Sequence, residues 1–374
     1  MKRFYLILRS TMRDIRAYFA EAPLRLLPIV DDWRQYDLDK FKKDLKAGFN
    51  TALLGFPQGI AYAVIAGVNI VYGIACEMIA GLTGSLFKSS RATITGPTNA
   101  TAFMIFSFFA TYPLLGGRIN ELLPLLALLV SLLMLAGAFF RVADILQYVS
   151  RSVVVGFITG AALLIMVNQL NEVFGLAHAM QASDSPRSFY SIVVRLIEVL
   201  PAMEWAPMTI AAITLGFYYA GRRWLGGWPV FALALVVGSL VTWLLGLVVP
   251  EFANVRFFDS FQWSALVPAL PSFDTMFWDD MATLFSLALA VAFLASLENS
   301  IMAKTLAGRT GVQADLNQDM FALGIGNFAC SLFNAMPASG SLTRSKLNHQ
   351  SGAATRMSAV FASMSVGLIA LLCG

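Results

Sequence analysis

The chain has 374 residues, 58% apolar and 13% charged, with a mean hydropathy of +0.70 and a formal net charge of +4. Soluble globular chains are roughly 45–50% apolar and about 25% charged, so this balance leaves too little polar surface to cover a soluble core. A soluble enzyme, a nucleic-acid binder and a disordered chain are thereby excluded, and the basic excess reads as the flank of a membrane protein.

The charges are unevenly placed. Residues 1–46 hold 11 of the 26 Lys and Arg and 7 of the 22 Asp and Glu, whereas 51–76 and 122–140 hold none. Apolar runs of about 20 residues are long enough to cross a bilayer as helices. Cys76, Cys330 and Cys373 stand singly in apolar segments and read as small packing residues. With His178 and His349 the only histidines, no metal site and no resident cofactor are expected. The charged first 46 residues lack the continuous apolar core of a signal peptide.

In chain order, residues 1–46 form a basic, amphipathic segment expected to lie on the cytoplasmic membrane surface, with Trp33, Tyr36 and Phe41 as interfacial anchors. Predicted spans follow at 47–67, 70–87, 98–112, 121–140, 150–173, 206–221, 228–249, 281–303, 317–334, 342–350 and 355–373. A weaker apolar piece at 189–200 carries Arg195 and Glu198 and reads as interfacial. With the N-terminus inside and the sides alternating, 21 Lys and Arg fall on the cytoplasmic side and 4 outside, with Arg344 left over inside a short span. That asymmetry obeys the positive-inside rule. Acids collect externally, among them Glu251, Asp259, Asp274, Asp279 and Asp280.

Two of the predicted spans are too short to cross alone, and they carry the chemistry. In ATITGPTNAT (92–101), Ala92 to Thr95 alternate like a short strand, Gly96-Pro97 breaks the chain, and Thr98 or Asn99 can cap a new helix. AMPASGSLTR (335–344) repeats the plan with Pro337, a short extended piece, Gly340, and Ser341 as the cap. A long span with an odd polar residue precedes each: Gln58 lies 38 residues before Gly96, and Glu298 lies 42 before Gly340. Two such units in opposite orientation suggest an inverted repeat, whose ligand site is built at the bilayer midplane from discontinuous helices.

The chemistry of that site favours an anion. Each helix N-terminus presents unpaired N–H groups and about half a positive charge, and Arg344 in the first turn of the second short helix adds a full one. The plainer reading is that Gly-Pro and Ser-Gly merely kink ordinary spans, but their repetition in matching places argues against it. Intramembrane ionisable residues are functional candidates by default. The carboxylate of Glu298 would repel a bound anion unless protonated or paired with a cation, which makes it a candidate for coupling anion movement to H+ or Na+. A structural acid paired with Arg344 is the alternative. Glu77 is a second intramembrane acid, read as a buried pairing partner or a residue near a domain interface. Gly156 and Gly160 form a GxxxG, read as close helix packing.

On these residues the sequence resembles the SulP family of sulfate-permease-like anion transporters. GFPQGIAYAVIAGVNIVYGI looks like that family's opening signature, and SSRATITGPTNA looks like its Ser-Arg and Gly-Pro stretch. NQDMFALGIGNFACSLFNAMPASGSLTRSKLNHQSGAATR is similar to its ninth and tenth helices. The resemblance covers about 33–374. It implies an all-α polytopic membrane protein of inverted-repeat fold, seven plus seven segments in core and gate domains, with two half-helices preceded by short strands. Residues 47–140 would be the first core repeat, 141–250 gate helices, 251–280 an external loop, and 281–374 an incomplete second core repeat. Gln58, Tyr62, Thr98, Asn99, Ser341, Thr343 and Arg344 would line the anion site, and Glu298 matches the family's acid on the eighth helix.

The resemblance implies a secondary anion transporter working by alternating access with an elevator motion. Sulfate, bicarbonate, chloride or a dicarboxylate is the expected substrate, by H+- or Na+-coupled symport or by exchange. An anion channel or voltage-responsive protein of the same fold is the alternative, and a nucleobase permease a more distant one. The bilayer and a second copy in a homodimer are the expected partners, in a plasma or bacterial inner membrane. About eleven segments fit the chain, so the last three and the cytoplasmic STAS domain are expected to be missing, and the 374-residue chain to bind or transport poorly alone.

Overall fold

The computed structural model describes residues 24–34, 36–146, 148, 151–176, 179, 189–225, 230–253, 268, 277–310 and 314–373. Most of the predicted external loop and the first 23 residues lie outside them, as does His178. The longer elements are α1 (Leu38–Ala66), α2 (Ile70–Phe87), β1 (Ile94–Gly96), α3 (Asn99–Thr111), α4 (Ile119–Phe139), α5 (Arg151–Val173) and α6 (Phe189–Val199). They continue with α7 (Trp205–Trp224), α8 (Val230–Gly246), α9 (Phe277–Thr310), α10 (Leu316–Leu332), β2 (Ser339–Ser341), α11 (Leu342–Gln350) and α12 (Met357–Cys373).

Among the described residues, α1, α2, α4 and the 278–308 part of α9 are long and apolar enough to cross a membrane. The 190–202 and 205–224 stretches, bent by 107°, count as a fifth crossing if taken together. The bend sets α6 off from α7 as a separate helix. Helices α3 and α12 and the 233–246 part of α8 are apolar, coincide in position with predicted spans, and are shorter than 18 residues among the described residues.

The core gathers α10 against α4 and α2, α12 against α1 and α2, and α9 against α4. Its interior is apolar, with Ala75, Cys76, Ile105, Leu123, Leu126, Val130, Leu284, Val291, Leu323 and Cys330 buried together. Small side chains make the close approaches possible. A Cβ on Gly73 of α2 would lie 2.9 Å from the Gly59 carbonyl carbon and 3.0 Å from Ala63 Cβ, both on α1. Gly156 and Gly160, by contrast, have nothing within 4 Å of a Cβ position among the described residues, so the GxxxG makes no close packing there. Helices α7 and α8 pack on each other, and α8 also touches α1.

Polar residues tie the ends of the core elements together. Asp44 on α1 is fully buried and accepts from the Ala354 and Thr355 amides at 2.7 and 3.0 Å and from Thr355 Oγ1 at 2.5 Å. Asp319 at the start of α10 accepts from the Ser89 and Ser90 amides at 2.7 and 3.0 Å and from the Ser90 hydroxyl. Arg356 pairs with Asp32 at 2.7 Å and donates to the Lys88 and Ser89 carbonyls, both at 2.8 Å. Buried carboxylates are tolerated where several donors surround them. Trp33 and Phe41, two of the three expected anchors, are exposed, while Tyr36 donates to Asp44 Oδ2 at 3.2 Å.

Candidate functional site

The site is organised by a two-stranded antiparallel ladder. Ile94 faces Ser341, Thr95 faces Gly340 and Gly96 faces Ser339, all buried. Because the strands run in opposite directions, the helices that follow them begin at opposite ends of the ladder. Each strand is fixed from behind by a buried polar side chain. Lys88, counted from sequence among the loop charges, is fully buried; its Nζ donates to the Thr93 carbonyl at 3.1 Å and Thr95 Oγ1 at 2.5 Å. Asn327 on α10 accepts from the Ala338 amide at 2.8 Å and donates back to its carbonyl at 3.1 Å. Ser345 Oγ accepts the Ile94 amide at 2.8 Å, linking α11 to β1.

Both short helices are capped as their sequences require. Thr98 is the N-cap of α3, in a reciprocal box in which the Thr98 amide donates to Thr101 Oγ1 at 3.3 Å. Ser341 is the N-cap of α11 and accepts the Arg344 amide at 3.4 Å. A cap satisfies one of the orphan N–H groups of a helix start and leaves others free. Asn99 is half-buried in the first turn of α3, whereas Thr343 is exposed.

Besides Lys88, three charged groups among the described residues meet at this ladder: Glu298, Arg344 and Glu77. Glu298 on α9 accepts through Oε2 from Ser339 Oγ at 2.6 Å and from Thr98 Oγ1 at 3.1 Å. One carboxylate oxygen thus joins β2 to the cap of α3. Arg344 has no exposed surface; its Nη2 donates to the Pro97 carbonyl at 2.6 Å and its Nη1 forms an ion pair with Glu77. The guanidinium therefore reaches from the first turn of α11 across to the residue just before the α3 cap. Its Nε is buried without a hydrogen-bond partner among the described residues.

The structure thus answers which acid pairs with Arg344: Glu77, with Glu298 held by two hydroxyls instead. Tyr62 on α1 is partly buried and packs against the apolar core. Gln58, one turn earlier, has a buried Oε1 with no hydrogen-bond partner among the described residues. The ladder thus brings together Thr98, Ser341, Arg344 and Glu298. Thr343 stands apart. Ser339 and the Pro97 carbonyl were not singled out from sequence; the one signal for Ser339 was its place two residues before the Ser341 cap. No group of three or more His, Cys, Asp or Glu that could hold a metal occurs among the described residues.

The model of the family described as "Sulfate permease family" matches residues 41–374. YvdB of Bacillus subtilis (strain 168) is 28% identical over 342 residues, covering 91% of this chain and 62% of that protein. Sulfate transporter 4.1, chloroplastic, of Arabidopsis thaliana is 27% identical over 338 residues, covering 90% and 48%. The chain therefore spans about half to three fifths of the length of these relatives. Among solved structures, the transmembrane domain of a cyanobacterium bicarbonate transporter, BicA, superposes with a TM-score of 0.77 at 19% identity over 90% of this chain and 83% of that one. Murine Solute Carrier 26 family member A9, an anion transporter in the inward-facing state, gives 0.79 at 21% over 93% and 59%. At such identities the likeness establishes the fold, which is the inverted-repeat membrane fold expected from the sequence.

Proposed function

The chain belongs to the sulfate permease family, and we propose from that premise that it is the membrane part of a secondary transporter moving small anions by alternating access. One observation carries this reading: two capped helix N-termini and a fully buried arginine converge on one short strand ladder. Unpaired N–H groups at helix starts, with their partial positive charge, suit a desolvated anion. Arg344 Nε adds a buried donor with no other partner among the described residues, and Thr98, Asn99, Ser341, Gln58 and Tyr62 supply polar groups around it. Thr343, exposed in the described state, has the weakest claim.

Glu298 is the coupling residue in this reading. Its carboxylate lies on the ladder itself, hydrogen-bonded to the α3 cap and to β2, so an anion at the helix starts and a negative Glu298 repel each other across a short distance. Neutralising Glu298 with H+ or Na+ removes that repulsion, which ties anion occupancy to cation occupancy. The names of the relatives and structural neighbours, sulfate and bicarbonate transporters, make these the first substrates to try, with chloride and dicarboxylates next. We place the protein in a plasma or bacterial inner membrane with its N-terminus cytoplasmic. A homodimer and an elevator-type motion of the core against the α5–α8 helices are part of the same proposal.

The test is uptake and anion binding by the protein in membrane vesicles. Arg344→Ala is expected to lower uptake and affinity at least about ten-fold, since a buried donor to the anion is lost. Unchanged affinity removes Arg344 from the site. Glu298→Gln is expected to leave anion binding in place while abolishing gradient-driven accumulation; accumulation that survives ends the coupling role. Large unitary currents in a bilayer would replace the transporter by a channel.

A further inference from the structure

Glu77 has no place in the transport reading, yet it is the closest charge to Arg344. It lies on α2, 3% exposed, in ion-pair contact with Arg344 Nη1. Two glycines make room for it. A Cβ on Gly55 of α1 would lie 2.7 Å from Glu77 Oε1, and a Cβ on Gly96 of β1 would press on its other oxygen and lie 3.0 Å from Arg344 Nη1. The carboxylate is thus seated between α1 and β1, directly behind the start of α3, and it occupies Nη1 while the Nε edge of the guanidinium stays unpartnered among the described residues.

We propose that Glu77 cancels the charge of Arg344 and so sets the charge of the anion that the site takes, favouring a monoanion over a dianion. This rests on the anion-site reading above. The two helix starts together supply about one positive unit. Arg344 adds one and Glu77 subtracts one, while Glu298 adds nothing once a cation or proton neutralises it. A monoanion then balances the site, and a dianion leaves one negative charge uncompensated in a medium that screens poorly. Arg344 still serves as a hydrogen-bond donor through Nε, so geometry and net charge are set by different residues. Glu77 acts only through Arg344 and is a positioning residue.

The experiment measures radiolabelled bicarbonate, chloride and sulfate uptake, with equilibrium binding, for the wild-type protein, Glu77→Gln and Glu77→Asp. The wild type is expected to take the monoanions ahead of sulfate. Glu77→Gln keeps the shape but leaves Arg344 uncompensated, so the ratio of sulfate to bicarbonate should rise about ten-fold or more; Glu77→Asp should stay within about two-fold of wild type. A folded Glu77→Gln protein with an unchanged ratio overturns the proposal, because a merely structural role would lower all anions alike. Should Glu77→Gln fail to fold, the wild type decides: sulfate taken ahead of bicarbonate and chloride overturns the proposal. If neither the wild type nor a form lengthened to the extent of its relatives binds an anion, the transport reading itself fails. If Arg344→Ala abolishes binding while the Glu77→Gln ratio stays fixed, only the role of Glu77 falls.

Discussion

A guanidinium without exposed surface is tolerated in α11 because its charge is met at once by Glu77 and one of its donors by the Pro97 carbonyl. Removing one partner of a buried pair is costly since it strands the other charge. The arrangement also depends on a residue with no side chain. At Gly96 a methyl group would lie 3.0 Å from Arg344 Nη1 and against the Glu77 carboxylate. Gly96→Ala is therefore expected to push the pair apart, destabilising the protein by about 1–3 kcal/mol as overpacking does and weakening anion binding. Thermal unfolding and anion binding of the variant measure the two effects. Gly117→Ala, with nothing within 4 Å of its Cβ position among the described residues, serves as the control.

Each short helix starts where a hydroxyl caps it, and each strand holds its register because Lys88, Asn327 and Ser345 bond to backbone groups in or beside it. A three-residue ladder alone is too small to be stable in isolation, so the buried side chains around it do the holding. Close packing of α1 on α2 holds the helix that carries Gln58 and Tyr62. Gly73→Ala would drive a methyl group into the Gly59 carbonyl and Ala63. It should destabilise the protein by about 1–3 kcal/mol, whereas Gly156→Ala, facing open space among the described residues, should stay within about 0.5 kcal/mol. Thermal unfolding in detergent compares the two, and equal effects would dismiss the account of α1–α2 packing.

Across the whole molecule, the segment before α1 is joined to the far end of the chain. Asp32 pairs with Arg356, whose other donors hold the Lys88 and Ser89 carbonyls between α2 and β1. Asp44 binds the turn before α12 in the same region. Three distant stretches thus close on one polar cluster, which fixes the loop that leads into the ladder. Arg356→Ala leaves Asp32 buried without its main partner and should cost about 3–5 kcal/mol. Limited proteolysis should then cut near residues 24–34 faster than in the wild type; an unchanged cleavage rate would mean that the cluster does not hold this segment. At the opposite pole, Arg118 and Asp280 join the starts of α4 and α9 in a two-pronged pair at 3.2 and 2.9 Å.

Composition, with 58% apolar residues and 13% charged, determined the solvent in which the chain folds, because too few polar groups remain to face water. Local rules determined the two half-helices: a Gly-Pro or Ser-Gly break followed by Thr98 or Ser341 is a cap legible within four residues, since a cap bonds only to its own first turn. The resemblance built on those stretches brought the family and fold. What the sequence left open was partnership. It named only Glu298 as an acid for Arg344 and gave Glu77 no partner; the tertiary structure pairs Glu77 with Arg344 and bonds Glu298 to Thr98 and Ser339. Lys88 and Arg356, which counted as loop charges in the sequence, are buried. Ion pairs between remote segments depend on how helices cross, and that is set by packing of the whole core. The apolar runs likewise outnumber the helices long enough to cross alone among the described residues; a half-helix and a full span share the same composition and differ in where the chain turns.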